Sequence, residues 1–186
     1  MKDRILAAMK RLASQKGFHA VTTDELAAAA GISKRTLYRY FQSKDEIIEQ
    51  VLETMLQGLL ARIEAILAGP QSPPVKLKAA ARAVAAEAGF LEPHIFADLQ
   101  RYYPHLWIKI DRFRSERMGG LGQVYLEGCR QGYFKEFDTA VLLTSYLGAV
   151  RAVIDPAFLT SHNISLARAL DTLVEIFLQG ISKATP

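Results

Sequence analysis

Basic and hydroxyl-bearing side chains are concentrated in one short stretch, SKRTLYRYFQSK, which runs from Ser33 to Lys44. Lys34, Arg35 and Arg39 supply positive charge and hydrogen-bond donors, and serine, threonine and tyrosine hydroxyls stand between them. Such side chains are suited to the phosphate groups of a nucleic acid. They are equally typical of a solvated helix face, so the residue types alone leave two interpretations open.

The excess positive charge of the chain lies in the same part of the sequence. Residues 1–47 contain nine Lys and Arg and five Asp and Glu, whereas residues 48–186 contain fourteen of each. The formal net charge of +4 therefore belongs to the first quarter of the chain. A basic segment on a neutral body favours attraction to a polyanion, although a basic face without a partner is the alternative.

Two short helices joined by a tight turn are predicted to position these residues. Thr22 precedes Glu25 by three residues, which is the spacing of a capping box. Gly31 tolerates a positive φ where the first helix must turn, and Ser33 is suited to cap the second helix. A helix, a glycine turn and a short basic helix form the helix-turn-helix plan, whose second helix lies in the major groove of DNA.

The features of this segment that match a known family go beyond a bare helix-turn-helix. They are Thr23, Leu26 and Ala27, Ala30 to Ser33, Thr36 to Phe41, and Ser43 with Lys44. On these residues the sequence resembles the tetracycline-repressor (TetR) family of one-component transcriptional regulators. The resemblance implies a homodimer that binds a palindromic operator on double-stranded DNA, with repression as the default, and that is released by a small effector.

The resemblance also implies roles for individual residues. Contacts with base edges are expected from Lys34, Arg35, Thr36 and Arg39, because such side chains pair with guanine acceptors or contact a thymine methyl group. Phosphate contacts, which position the protein without reading the sequence, are expected from Thr23, Ser33, Tyr38, Tyr40 and Lys44. Core packing is the alternative for the two tyrosines. Many family members carry a small residue where Arg35 stands, so the operator sequence stays open.

The whole chain is predicted to be all-α, with about nine helices, because no stretch shows the period-two alternation of a strand. We expect a three-helix DNA-binding domain over residues 1–47 and a larger helical domain for effector binding and dimerisation over residues 48–186. A helix over about residues 45–67 would connect them. The small N-terminal core is predicted to contain Ile5, Met9, Leu12, Phe18, Val21, Leu26, Ala30, Ile32, Leu37 and Phe41.

The last two predicted helices carry long apolar faces, which indicate burial on more than one side. With the family resemblance, they favour a four-helix bundle between two subunits, and packing inside one subunit is the alternative. A two-fold dimer suits half-sites roughly 34–36 Å apart. The residues expected at the dimer interface are Leu142, Tyr146, Ala149, Val153, Leu170, Leu173, Phe177 and Ile181.

Aromatic residues are frequent between residues 90 and 134, in the part of the chain where the family keeps its effector site. Glycines 119, 120 and 122 loosen the helix predicted there. A mostly apolar pocket for a hydrophobic or aromatic effector is therefore expected, with ordinary core packing and a regulator without any effector as alternatives. Its expected lining is Phe96, Leu99, Tyr103, Trp107, Met118 and Tyr125.

Catalytic and metal-binding patterns are absent from the sequence. The four histidines are far apart, no H-E-x-x-H motif occurs, and Cys129 is the single cysteine. An α-helical enzyme is thus the weaker alternative, and we expect no catalytic residue, no metal and no cofactor. One cysteine and no apolar run of about 20 residues indicate a reducing, cytoplasmic location without a membrane partner.

Overall fold

The computed structural model describes residues 1–88 and 93–183, and this part of the chain folds almost entirely into helices. The helices are α1 (Lys2–Ala20), α2 (Thr23–Ala29), α3 (Lys34–Tyr40), α4 (Lys44–Ala68), α5 (Pro73–Ala88), α6 (Pro93–Tyr102), α7 (Pro104–Glu116), α8 (Met118–Arg130), α9 (Thr139–Val153), α10 (Pro156–Ser161) and α11 (Leu166–Ile181).

The all-α fold class is confirmed, and two differences explain the higher helix number. The helix predicted over about residues 105–133 was expected to kink at glycines 119, 120 and 122, but it is Arg117 that leaves helical geometry and separates α7 from α8. A further short helix, α10, begins at Pro156, because the Asp155 side chain accepts the amides of Ala157 and Phe158. No helix among the described residues is long and apolar enough to cross a membrane.

The described residues divide into two compact units. Residues 1–58 and 93–109 form the first, and residues 59–88 and 110–183 form the second. The predicted boundary between a DNA-binding domain over residues 1–47 and an effector-binding and dimerisation domain over residues 48–186 is a division by function, and it stays a prediction. Phe90, which belongs to the aromatic segment noted above, lies outside the described residues.

The first unit contains the small core expected from the sequence. Leu12 and Ile32 are only partly buried, whereas the other eight predicted residues are buried. Other side chains that this prediction did not include are buried as well, among them Ala13, Ile47 and Ile48. The first turns of α4 therefore share this core, which is too small to be stable on three helices alone. Lys109 of α7 adds ion pairs with Glu49 and Glu53 on the outer side of α4.

The second unit is held by α11, which packs on α5 and α9. At one end Tyr125, Phe134 and Ile181 form a buried cluster. The Tyr125 hydroxyl donates to the Lys135 carbonyl at 2.9 Å and accepts the Phe137 amide at 2.7 Å. These two bonds hold the loop between α8 and α9 on the buried Tyr125 side chain. An isolated antiparallel bridge between Phe134 and Ser182 closes the same end.

Gly128 allows Phe134 to lie directly on α8. An added Cβ at Gly128 would overlap the Phe134 ring and come within 3.1 Å of the Cβ of Pro73. We therefore expect Gly128→Ala to lower the free energy of unfolding by about 1–3 kcal/mol through overpacking. Urea denaturation measures this change.

Gly119→Ala in the same helix is the matched control, because nothing lies within 4 Å of the added Cβ. Removal of a helical glycine there should stabilise the protein by up to about 1 kcal/mol. Equal effects of the two substitutions would contradict the packing argument.

Candidate nucleic-acid interface

Helix α2 begins with the predicted capping box. The Thr22 hydroxyl accepts the Glu25 amide at 3.2 Å, and the Glu25 carboxylate accepts the Thr22 amide at 2.9 Å. Lys16 Nζ lies 2.7 Å from the same carboxylate. The hydrogen bond from Lys16, followed by the one from the Thr22 amide, lowers the pKa of Glu25 from its ordinary 4.5 to about 2. The start of α2 is therefore fixed by a network that includes the end of α1.

The turn between α2 and α3 uses the positive φ predicted for Gly31, which is 64°. The Gly31 amide bonds to the Ala28 carbonyl at 3.0 Å and the Ile32 amide to the Ala27 carbonyl at 3.0 Å. Arg4 of α1 donates to the Ala30 carbonyl at 2.6 Å and so satisfies an acceptor at the helix end. The two helices are thus joined by a turn with its backbone groups bonded.

Helix α3 places its apolar residues inward and its basic residues outward. The Ser33 hydroxyl accepts the Thr36 amide at 3.1 Å, which confirms the predicted N-cap. Leu37 is fully buried, and Phe41, which follows the helix, is 1% exposed. These anchors fix the helix by one side, so the remaining side faces solvent.

The residues predicted to read bases lie on that outward side. Lys34, Arg35 and Arg39 are exposed, and Thr36 is half-buried with its hydroxyl 2.9 Å from that of Ser33. Lys34 Nζ forms an ion pair with Asp24 of α2 at 2.9 Å. Both partners are largely exposed, so the pair contributes little to stability and its lysine can exchange partners.

The residues predicted to contact phosphate surround this face. Tyr38 is 46% exposed, so the core-packing alternative does not apply to it, whereas Tyr40 is half-buried beneath the Arg39 guanidinium. Thr23 is half-buried and Ser33 exposed at the two helix starts. Lys44 Nζ is engaged within the chain, where it donates to the His19 carbonyl at 2.8 Å.

The residues predicted to line an effector pocket are divided between the two units. The first unit contains Phe96, Leu99, Tyr103 and Trp107, and the second contains Met118 and Tyr125. Phe96 and Trp107 meet edge to face with ring centroids 5.5 Å apart. Tyr125 belongs to the buried cluster at the end of the second unit, and its hydroxyl already has two backbone partners. The pocket stays a prediction.

The residues predicted at a dimer interface are largely covered within one subunit. Leu170, Leu173 and Ile181 are buried, because that side of α11 packs on α5 and α9. The Tyr146 and Phe177 rings meet edge to face at 5.1 Å, which also uses them within the subunit. Leu142, Ala149 and Val153 are half-buried. The sides of α9 and α11 that remain accessible therefore lie beside the predicted interface residues, as with Ser145, Gly148 and Ala152 of α9.

Other contacts of the interface were not found from the sequence. Asp24 pairs with Lys34 and Arg4 bonds to Ala30, but no rule of spacing connects residues ten or twenty-six positions apart. Metal chemistry has no support in the described ranges, where no group of three or more His, Cys, Asp or Glu could hold an ion.

A basic helix held outward by a capped helix-turn-helix in an all-helical chain defines a DNA-binding regulator of the helix-turn-helix class. The family model of bacterial regulatory proteins, tetR family, matches residues 5–51. The helix-turn-helix-type transcriptional regulator YvaF of Bacillus subtilis (strain 168) is 30% identical over 184 residues, which cover 98% of this chain and 96% of YvaF. The chain therefore belongs to the TetR family of transcriptional regulators.

Solved structures share the same fold. The TetR family regulator PfmR from Thermus thermophilus is 26% identical, with a TM-score of 0.69 over 97% of this chain and 100% of PfmR. The regulator FadR from Bacillus subtilis, in complex with stearoyl-CoA, is 18% identical, with a TM-score of 0.70 over 97% of this chain and 100% of FadR.

The capping network at α2 should be visible in the pH dependence of stability. Because the folded-state pKa of Glu25, about 2, lies below its ordinary 4.5, the ionised carboxylate stabilises the protein above pH 4.5. This contribution is lost as the pH falls from 4.5 through 2. We expect Glu25→Gln to lower the Tm at neutral pH, and the Tm difference to shrink below pH 4.5, as measured by circular dichroism.

The control for this measurement is Glu64→Gln, which changes an exposed glutamate of α4. It should leave the Tm nearly unchanged over the same pH range. A Tm difference for Glu25→Gln that stayed constant from neutral to acidic pH would show that the ionised carboxylate is not the stabilising species.

Proposed function

We propose that this protein is a homodimeric transcriptional repressor that binds a palindromic operator and is released by a small hydrophobic or aromatic effector. Residues 1–47 bind the DNA, and residues 48–186 provide the effector site and the dimer contacts. The observation that carries the proposal is the exposed basic face of α3, held outward by a buried Leu37 and a bonded turn.

Base recognition is assigned to the outward residues near the start of α3. A recognition helix contacts base edges through its N-terminal residues, and Arg and Lys match the acceptors of guanine. Lys34 and Arg35 stand in the first turn, and Arg39 follows one turn later on the exposed side. Thr36 is placed between them, and its contact requires the hydroxyl to turn from Ser33 towards the groove.

Phosphate contacts are assigned to the residues around this face. The helix starts at Thr23 and Ser33 present backbone amides together with hydroxyl groups, and such helix ends attract phosphate. Tyr38 offers an exposed phenol, and Tyr40 a half-buried one. The Lys44 ammonium group has three donors, of which one is bonded to the His19 carbonyl. The others are assigned to a phosphate.

Dimerisation is assigned to the accessible sides of α9 and α11. Val141, with 65% of its surface exposed, is followed at helical spacing by Ser145, Gly148 and Ala152, and all four are accessible. On α11, Ile176 is 60% exposed. Small residues on such a side let a second helix approach closely, and a two-fold axis would pair each side with its own copy.

The effector is proposed from the composition of the body and from the fold. The body is rich in buried aromatic and aliphatic side chains, and its edge-to-face contact between Phe96 and Trp107 is typical of an apolar interior. The complex of Bacillus subtilis FadR with stearoyl-CoA supports the idea that this fold accepts a ligand with a long apolar chain. Release then requires that the effector binds one state of the dimer better than the state that fits the operator.

Substitutions should separate base reading from phosphate contact. We expect Arg35→Ala to relax the preference at one base pair of each half-site, at a cost of about 1–3 kcal/mol in specific binding. Tyr38→Phe removes one phenolic hydroxyl and should weaken binding to all duplexes alike. Fluorescence anisotropy with the selected operator and its single-base variants measures both effects.

Arg62→Ala, on an exposed part of α4 outside the interface, is the control and should leave DNA affinity unchanged. If Arg35→Ala changed neither affinity nor base preference, the assignment of base reading would be wrong. The operator itself is found by selection of bound sequences from random DNA, and the absence of a palindrome would contradict the dimeric mode of binding.

Introducing a charge at the proposed dimer contact should separate the subunits. Ile176→Asp would bury an aspartate without a partner, which costs about 3 kcal/mol or more and raises the dimer Kd at least about a hundredfold. Ile108→Asp is the matched control, because Ile108 is 58% exposed but lies on α7. Analytical ultracentrifugation measures the dimer Kd of both variants. If Ile176→Asp remained as fully dimeric as Ile108→Asp, the assignment would be refuted.

The effector proposal has a thermodynamic test. Acyl-CoA esters, free fatty acids and aromatic acids are titrated into the complex of the purified protein with its selected operator. An effector must weaken DNA binding by the same factor by which DNA weakens effector binding, because the two affinities are linked. A protein that retains full operator affinity with every apolar ligand class, and copurifies with none, would be a regulator without a small-molecule effector.

A further inference from the structure

Helix α1 is interrupted at Gly17, and a distant aspartate satisfies an amide beyond the interruption. Gly17 has φ 83° and ψ 161°, after which the chain returns to helical geometry as far as Ala20. Amides that follow such an interruption lack helical acceptors, as at any helix start. The Asp98 carboxylate of α6 accepts the His19 amide at 2.8 Å and therefore acts as an N-cap from 79 residues away.

His19 connects three helices at this point. Its amide bonds to Asp98, and its imidazole stacks on Tyr102 of α6 with ring centroids 3.6 Å apart and planes inclined by 10°. Its carbonyl accepts Lys44 Nζ, from the first residue of α4, at 2.8 Å. One residue thus joins the end of α1 to α6 and to the helix that follows the recognition helix.

Helix α6 spans both sides of the interruption. On the N-terminal side of Gly17, His94 Nε2 lies 3.4 Å from the Ala13 carbonyl oxygen. On the C-terminal side, Asp98 accepts the His19 amide and Tyr102 stacks on the His19 ring. Gly17 lies against α6 so closely that an added Cβ would overlap the Asp98 carboxylate, and its positive φ also disfavours a side chain. The two segments of α1 are therefore held at a fixed angle by a helix outside residues 5–51.

Partly buried groups lie near Asp98. Burial, with the nearby carboxylates of Asp45 and Asp98, raises the pKa of Tyr103 to about 12, and burial lowers the pKa of Lys44. The hydrogen bonds at His19 are themselves exposed, so their contribution is one of geometry rather than of a desolvated environment. Loss of the Asp98 acceptor would leave the His19 amide without its partner in this region.

The angle at Gly17 helps to determine where the DNA-binding helices lie on α1, together with the bonds of Arg4 to Ala30 and of Lys16 to Glu25. The helical segment after Gly17 ends at Ala20, and α2 begins soon afterwards at Thr23. A rotation at Gly17 would shift the start of α2 and would break the bond between His19 and Lys44. The recognition helix α3 follows α2 through a bonded turn and would move with it.

We propose that Asp98 is a positioning residue for DNA binding, which holds the interruption of α1 in the geometry that the recognition helix requires. The inference rests on the proposed role of α3 in operator binding.

The test compares Asp98→Ala with Asp98→Asn in operator binding by anisotropy. Alanine removes the acceptor of the His19 amide, and we expect the apparent operator affinity to fall about tenfold. This corresponds to about a tenth of the molecules in the competent geometry. Asparagine keeps an oxygen that accepts the His19 amide, so its affinity should stay within about threefold of the unaltered protein. Hydrogen exchange at the His19 amide should accelerate only in the alanine variant.

The matched control is Asp155→Ala, which removes a carboxylate cap from two amides of α10 and should leave DNA affinity unchanged. Tyr102→Leu removes the ring stacked on His19 and keeps the Asp98 cap. It is the second variant if Asp98→Ala does not fold, and its operator affinity should fall two- to fivefold. Unchanged affinity in Asp98→Ala or in Tyr102→Leu would overturn the inference, as would an asparagine variant as weak as the alanine variant. An unaltered protein that binds no duplex at low salt would instead refute the proposed function.

Discussion

Helix ends limit what the N-terminal part of this chain can form. Helices α2 and α3 have seven residues each, so more than half of their amides and carbonyls lie in the first or last turn and have no intrahelical partner. Segments this short are not stable helices by themselves. Thr22, Ser33 and Arg4 satisfy ends of α2 and α3, and Asp98 satisfies an amide of the last segment of α1; the orientation of the basic residues depends on that set of bonds. The candidate interface for DNA is therefore fixed largely by bonds at the ends of its helices.

Local features of the interface could be predicted from the sequence. The capping box at Thr22, the N-cap at Ser33 and the positive φ of Gly31 depend on residues within three or four positions, so their spacing is sufficient evidence. The apolar spacing also identified most of the core and the all-α class. The same periodicity correctly turned Leu37 and Phe41 inward and left the basic residues of α3 outside.

Features that depend on distant partners could not be predicted in this way. The His19 amide is capped by Asp98, and nothing in the spacing of 79 residues indicates that contact. On α11, Leu170, Leu173 and Ile181 form the more apolar side, and a sequence does not show whether that side meets another subunit or α5. The break at Arg117 was missed because neighbouring glycines 119 and 120, which suggested a kink, lie within α8 instead.

The ion pair between Lys34 and Asp24 affects how this protein exchanges ions with DNA. A lysine that approaches a duplex normally displaces a condensed cation, and the number of such displaced ions sets the salt dependence of binding. Lys34 has a carboxylate of its own chain, that of Asp24, at 2.9 Å, and in the proposed binding mode that carboxylate would have to be rehydrated or neutralised when the lysine turned to the groove. A count of basic residues at the surface therefore overestimates the ionic contribution to affinity. In the proposed binding mode, this built-in counterion would reduce the ionic gain from Lys34 on any duplex, and a larger share of the affinity would then come from matched bases.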